Sequence, residues 1–140
     1  MSLQGTPPHE GGCLCGAIRY RSEAPAVGRI THCHCTMCRR ANGATVVDWV
    51  TFRVVDLRFI AGEPACYVSS SHAKRQFCAI CGTPLAFWSS HDPDYIDVTV
   101  GSLDHPEHAL PDCHIFVGSR QPWMHLDPEL PDLMGDIEGI

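Results

Sequence analysis

The sequence GGCLCG at residues 11–16 has a counterpart, FCAICG, at residues 77–82. Each stretch carries two cysteines separated by one or two residues, and each ends in a glycine. This spacing is typical of metal ligands, because a short turn can aim two thiolates at one ion while glycines let backbone amides approach the sulfurs. The sequence therefore predicts one closed tetrahedral zinc site, with the ligands Cys13, Cys15, Cys78 and Cys81. A closed site holds structure and does no chemistry. The alternative is that these cysteines are free thiols that pack as small apolar side chains.

A further group, HCHCTMC at residues 32–38, contains three cysteines, Cys33, Cys35 and Cys38. Three thiolates fill only three positions of a tetrahedral ion, and an open fourth position is typical of catalytic zinc. A substrate thiol bound at that position would be deprotonated at neutral pH and would become a nucleophile. Two alternatives stay open. A fourth protein ligand such as His32, His34 or His114 would close the site, and an iron–sulfur cluster would replace the zinc.

The composition restricts the class of protein. The first twelve residues contain no apolar segment of a secretion signal, and a reducing cytosol keeps thiols free, so nine cysteines are hard to explain as disulfides. No apolar run approaches the roughly 20 residues of a membrane helix. Sixteen acidic and ten basic residues give a net charge of −6, and the cations form no basic stripe. We therefore expect a cytoplasmic protein that binds neither membranes nor nucleic acids.

Short β-branched and aromatic runs, separated by turn residues, predict a mainly β protein with antiparallel strands. The runs lie at residues 17–20, 44–52, 57–60, 66–68, 84–88, 95–100 and 113–117. One short helix is predicted at residues 36–42, closed by Gly43. A chain of 140 residues fits a single domain. We place that domain at residues 11–131, between a flexible N-terminus at 1–10 and a loosely attached tail at 132–140.

Local patterns also predict which side chains are buried. Apolar and polar residues alternate in the stretch 95–100, so one face should lie in the core while Tyr95, Asp97 and Thr99 face solvent. Cys66 and Cys113 each precede apolar strand residues. We expect both to be buried packing residues rather than metal ligands.

The few cations narrow the choice of anion-binding residues. Arg39 and Arg40 directly follow the last cysteine of the 32–38 group, and Lys74 and Arg75 precede FCAICG. A substrate carboxylate would pair with one of these four, and arginine offers bidentate geometry. Arg39 and Arg40 are our candidate binding residues. The alternative is that they are solvated surface charges.

The order and surroundings of the cysteine groups resemble the glutathione-dependent formaldehyde-activating enzyme family, which also includes centromere protein V. The matching segments are GGCLCGAIRY, HCHCTMCRRANGA, FCAICGTPLAF and CHIFVGSRQPWMHLDPELP. The resemblance covers the chain from about Gly11 to Pro131. It implies a β-tent, a small antiparallel β domain stapled by zinc.

The resemblance also implies two zinc ions per chain. The structural ion would be held by Cys13, Cys15, Cys78 and Cys81, and the catalytic ion by Cys33, Cys35 and Cys38. The implied activity is that of a carbon–sulfur lyase, which joins glutathione and formaldehyde as S-hydroxymethylglutathione, so a small thiol and an aldehyde would be the partners. Two other functions stay open: a non-catalytic zinc-binding module that recognises a protein, and a thiol or zinc redox sensor.

Overall fold

The structure is a computed structural model that describes residues 3–136. Within these residues it is mainly β, with ten strands and one α-helix, which confirms the predicted fold class. The strands are β1 (His9–Gly12), β2 (Arg19–Ser22), β3 (Val27–Cys33), β4 (Val47–Arg53), β5 (Leu57–Ala61), β6 (Ala65–Val68), β7 (Ala73–Phe77), β8 (Pro84–Ser89), β9 (Tyr95–Thr99) and β10 (Cys113–Ile115). The helix is α1 (Thr36–Asn42), and 3-10 turns occupy Val100–Ser102, Pro106–His108 and Val117–Ser119. None of the described helices has the length and hydropathy of a membrane span.

The strands form two sheets. A three-stranded sheet has the order β1-β2-β5, and a seven-stranded sheet has the order β10-β3-β4-β9-β8-β7-β6. Neighbouring strands are antiparallel except for β10, which pairs with β3 in parallel. The parallel pair brings a late segment of the chain beside the strand that leads into the 32–38 cysteine group.

The main core contains residues of both sheets. Tyr20 of the small sheet belongs to the same buried cluster as Phe52, Leu85 and Val98 of the large sheet. The Tyr20 hydroxyl lies 2.7 Å from Ser102 Oγ, so its one polar atom is satisfied inside the core. Burial of a side chain such as Phe52 contributes about 1.5–3 kcal/mol. One face of the large sheet therefore packs in the core.

The opposite face of the large sheet lines a cavity. Cross-strand pairing aligns Arg75 with Phe87, Phe87 with Asp97 and Asp97 with Thr51, so the four residues form one row across β7, β8, β9 and β4. All four line the same cavity. Because side chains alternate along a strand, this row points away from the core face that carries Phe52.

The prediction that Tyr95, Asp97 and Thr99 face solvent was wrong for Thr99, whereas Tyr95 and Asp97 are half-buried. Tyr95 and Asp97 line the cavity. Thr99 is buried, and its hydroxyl donates to the Pro84 carbonyl oxygen at 3.1 Å. Alternation in sequence identified the two faces of β9, but it could not show that the polar face lines a concave surface.

Both terminal segments contact the domain where they are described. Leu3 is buried and pairs with Ala109, and β1 begins at His9, inside the segment predicted to be flexible. In the predicted tail, the Leu133 amide donates to the His114 carbonyl oxygen at 2.9 Å. The remaining residues of the two segments, 1–2 and 137–140, lie outside the described residues.

Candidate active site and metal centre

The four cysteines Cys13, Cys15, Cys78 and Cys81 form one group, called here the four-cysteine cluster. Their Sγ atoms all lie within 4.8 Å of one another. Cys15 Sγ is 3.6 Å from Cys13 Sγ and 3.8 Å from Cys78 Sγ. Zinc–sulfur bonds of about 2.3 Å in a tetrahedral site place the sulfurs about 3.8 Å apart. The four thiols therefore fit a zinc ion.

Two similar turns bring these cysteines together. The Gly16 amide donates to the Cys13 carbonyl oxygen at 3.2 Å, and the Gly82 amide donates to the Cys78 carbonyl oxygen at 2.8 Å. Both glycines adopt the left-handed conformation, with φ of 80° and 81°. This conformation is costly for other residues, which explains why each cysteine pair is followed by glycine.

Hydrogen bonds to the sulfurs favour their thiolate form. The Ile18 amide donates to Cys13 Sγ at 3.2 Å. The Thr83 hydroxyl lies 3.2 Å from Cys81 Sγ and accepts from the Leu14 amide at 3.0 Å, so it joins the two turns. Hydrogen bonds from Thr83 lower the pKa of Cys81 to about 5. Thr83 could not be recognised from the sequence, because a threonine after a glycine is typical of an ordinary turn.

The three cysteines Cys33, Cys35 and Cys38, called here the cysteine triad, form the second group. Their Sγ atoms also lie within 4.8 Å of one another. Cys33 ends β3, Cys35 is the N-cap of α1, and the Cys38 amide donates to Cys35 Sγ at 3.2 Å. Hydrogen bonds from Cys33 and then Cys38 lower the pKa of Cys35, while the pKa of Cys33 is raised. Cys35 is also the least buried of the three thiols.

No fourth side-chain ligand joins the triad within residues 3–136. The group contains three cysteines and no histidine or carboxylate. His32 Nδ1 pairs with Asp48 Oδ1, and His34 Nε2 lies 3.0 Å from His114 Nδ1. The three histidines considered as a fourth ligand are thus engaged elsewhere.

The hydrogen bonds of His114 and His34 assign the tautomers of both rings. The Asp127 amide donates to His114 Nε2 at 3.1 Å, so the proton of a neutral His114 ring lies on Nδ1. Nδ1 then donates to His34 Nε2, which leaves the His34 proton on Nδ1, a buried atom to which residues 3–136 offer no hydrogen-bond partner. Burial lowers the pKa of both rings, which keeps them neutral. The pair links β10, the end of β3 and the loop at Asp127.

The triad lies in the wall of the cavity described above, which has a volume of about 480 Å³. Trp49, Phe87 and Ile115 supply apolar lining, and Arg75 and Asp97 supply opposite charges. Burial raises the pKa of Asp97 to about 6, although the Thr51 hydroxyl donates to its carboxylate. Asp97 could not be recognised as a functional residue from its sequence pattern, because a single aspartate in an alternating strand is typical of a solvent face.

The cation that the structure places beside the triad is Arg75. Its Nη2 lies 3.6 Å from Cys38 Sγ, and the residue is buried. Arg39 and Arg40, our sequence candidates, are at the end of α1, and neither is among the described residues that line the triad cavity. Arg40 instead lines a second cavity.

The two cysteines outside the groups differ from each other. Cys113 is fully buried, as expected. Cys66 is exposed, so the expectation that it packs in the core was wrong. Cys66 belongs to β6, which forms one edge of the large sheet, where a residue next to apolar neighbours need not be covered.

Comparison with known proteins identifies a family and several relatives. The family model described as glutathione-dependent formaldehyde-activating enzyme matches residues 8–119. A Halomonas elongata protein, whose provisional name is glutathione-dependent formaldehyde-activating enzyme, is 22% identical over 88% of this chain and 83% of its own length. A Schizosaccharomyces pombe protein described as an uncharacterized lyase is 32% identical over 65% of this chain and 66% of its own length.

A solved structure shows the same fold. The crystal structure of a Rhodobacter sphaeroides protein aligns with a TM-score of 0.59 and 24% identity, over 88% of this chain and 98% of that one. The segment matched by the family model contains the four-cysteine cluster and the triad. On the basis of that match, this chain belongs to the glutathione-dependent formaldehyde-activating enzyme family.

Proposed function

We propose that the protein is a zinc-dependent carbon–sulfur lyase that acts on the adduct of a small thiol and formaldehyde. In the forward direction the thiol sulfur bonds to the aldehyde carbon, and the carbonyl π electrons move to oxygen. The proton that the thiol loses balances the proton that the oxygen gains, so the product is an S-hydroxymethyl thiol. Glutathione is the thiol suggested by the family. Two zinc ions per chain and a cytoplasmic location belong to the same proposal.

The observation that carries this proposal is the open side of the triad. Three thiols converge in the wall of a cavity, and no fourth side-chain ligand from residues 3–136 closes the group. The four-cysteine cluster, by contrast, has a complete set of ligands and is built from two tight turns. This difference supports a structural role for the four-cysteine cluster and a reactive role for the triad.

Residues of the chain prepare the triad for this chemistry. Zinc held by the triad would supply a positive charge that keeps an incoming thiol ionised. The Arg75 guanidinium beside Cys38 Sγ partly offsets the negative charge of the three thiolates. Trp49 and Phe87 line the cavity with apolar surface, which lowers the local polarity and strengthens electrostatic interactions beside it.

Asp97 is the candidate proton carrier for the hydroxymethyl oxygen. It lines the cavity, and its pKa of about 6 leaves both protonated and ionised forms present near neutral pH. A carboxyl group with such a pKa can donate a proton in one direction of the reaction and accept it in the other. The Thr51 hydroxyl donates to the carboxylate and fixes its orientation.

The test of the proposed function is exchange NMR on protein of measured metal content. Formaldehyde is mixed with glutathione, and then with smaller thiols, and interconversion of free thiol and adduct is followed. We expect the metal-loaded protein to accelerate the exchange above the rate in buffer for at least one thiol. Equal rates with and without protein for every thiol would reject the lyase and favour a non-catalytic zinc-binding module.

Replacing Asp97 with asparagine should stabilise the protein and reduce its activity. Because folding raises the pKa of Asp97, the native state binds more protons between about pH 4 and 6, and stability falls as pH rises through that range. An asparagine side chain does not ionise, so the variant does not lose stability as the pH rises. Above pH 6 we expect Asp97→Asn to be about 2 kcal/mol more stable than the wild type, with the difference gone below about pH 4.

The measurements are thermal unfolding across this pH range and the exchange assay at pH 7. Loss of a general acid typically costs at least about 100-fold in rate. An Asp97→Asn variant with wild-type activity would remove Asp97 from the mechanism. A variant that is less stable than the wild type at pH 7 would contradict the burial argument.

A further inference from the structure

Arg75 is a buried cation with unused hydrogen-bond donors. Only 9% of the residue is exposed, and its buried Nε and Nη1 atoms have no hydrogen-bond partner among the described residues. Nη2 contacts Cys38 Sγ at 3.6 Å, and the guanidinium carbon lies 4.9 Å from the centre of the Phe87 ring. None of the ion pairs formed within residues 3–136 involves Arg75.

A buried guanidinium with unpartnered N–H groups is unfavourable unless a hydrogen-bond acceptor binds to it. Buried polar groups in native proteins are nearly always hydrogen-bonded, and a buried N–H group without an acceptor costs free energy. The contact with the Phe87 ring offsets only part of this cost. The unused donors therefore point to an acceptor that binds in the cavity.

The guanidinium geometry indicates what kind of acceptor fits. Nη2 carries two N–H groups, one directed toward the Nε edge and the other toward the Nη1 edge. Whichever of them reaches Cys38 Sγ, the other remains beside an unpartnered N–H of Nε or Nη1. One complete edge of the guanidinium is thus free, and such an edge matches the two oxygens of a carboxylate.

We propose that Arg75 forms a carboxylate-binding subsite beside the triad, so that the preferred substrate is a small thiol that also carries a carboxylate. The contact with Cys38 places this subsite within a few bonds of any sulfur bound at the triad. Phe87, which lines the same cavity and lies under the guanidinium, holds the cation in place. That the bound molecule also carries a thiol rests on the proposed function, whereas binding of its carboxylate to Arg75 does not.

The experiment compares the affinities of 3-mercaptopropionate and 2-mercaptoethanol for the metal-loaded protein by calorimetry. We expect 3-mercaptopropionate to bind at least about tenfold more tightly, since charge-assisted bidentate pairs are strong. The advantage should disappear in Arg75→Met and persist in Arg53→Met, which removes an exposed arginine at the end of β4. An advantage that survives in Arg75→Met, or that is lost in Arg40→Met instead, would overturn the assignment.

A second measurement does not depend on thiol chemistry or on the folding of a variant. The Arg75 Nε–H resonance of the wild-type protein should shift when propionate is added and should not shift with propanol. A shift with propionate in a protein without lyase activity would support the subsite while rejecting the proposed function. Acceleration of exchange without either the shift or the affinity difference would support the lyase and reject the subsite.

Discussion

Cys78→Ser is expected to unfold the protein, while Cys113→Ser leaves it folded. Both cysteines are fully buried, so both substitutions place a hydroxyl in an apolar site. Only Cys78 belongs to the four-cysteine cluster. A buried hydroxyl costs about 1–3 kcal/mol, whereas a structural zinc site in a small domain contributes on the order of 10 kcal/mol of folding free energy.

The measurement is the yield of soluble protein, followed by chemical denaturation of whatever can be purified. Cys78→Ser should be insoluble, or should lack a cooperative transition. If Cys78→Ser and Cys113→Ser were destabilised equally, the four-cysteine cluster would have no special role in stability. The pair of variants separates loss of a ligand from the cost of the new hydroxyl.

Cys35→Ser is expected to abolish catalysis and leave the fold intact. Cys35 is the N-cap of α1, and serine is a favourable N-cap residue that can accept the hydrogen bond from the Cys38 amide. The substitution therefore removes a thiol without removing the cap. Because two thiols hold a metal ion poorly, zinc content should fall from two ions per chain to one, and thiol–formaldehyde exchange should return to the rate in buffer.

The control is Cys66→Ser, which removes an exposed thiol outside both groups. It should keep two zinc ions and full activity. Elemental analysis, thermal unfolding and the exchange assay together test the division of roles. Cys35→Ser with wild-type exchange rates would show that the triad is not the reactive group. A Cys35→Ser variant as unstable as Cys78→Ser would show that the triad also supports the fold.

Features coded by neighbouring residues were the most predictable. Helix α1 begins and ends where the sequence placed it, because Gly43 supplies the left-handed residue, with φ of 65°, that closes the last turn. The cysteine groups were also found correctly, since short spacing alone brings two thiols together. That Cys13 and Cys15 meet Cys78 and Cys81 depends on the whole fold, and the sequence could only suggest it by the count of ligands.

The sequence patterns did not predict strands β1, β3 and β7, and for β1 and β7 the structure shows the physical reason. The HEGG sequence of β1 contains no β-branched residue, and it forms a strand because β2 offers a partner. In β7, the sequence AKRQF shows no apolar alternation, because its two buried residues are Ala73 and Arg75. A buried arginine looks like a surface residue in sequence. Arg75, the cation that contacts the triad, was therefore only one of four equivalent candidates.

The two cysteine groups differ in when they can form during synthesis of the chain. The triad lies within a six-residue segment, so it can close around a metal ion soon after that segment leaves the ribosome. The four-cysteine cluster must join Cys15 to Cys78 across 63 positions, and it stays incomplete until Cys81 has emerged, about a few seconds later. The nascent chain therefore carries all three thiols of the triad before the four-cysteine cluster is complete. During that interval, a metal ion held by the triad would protect its thiols from oxidation before the β-structure around them is complete.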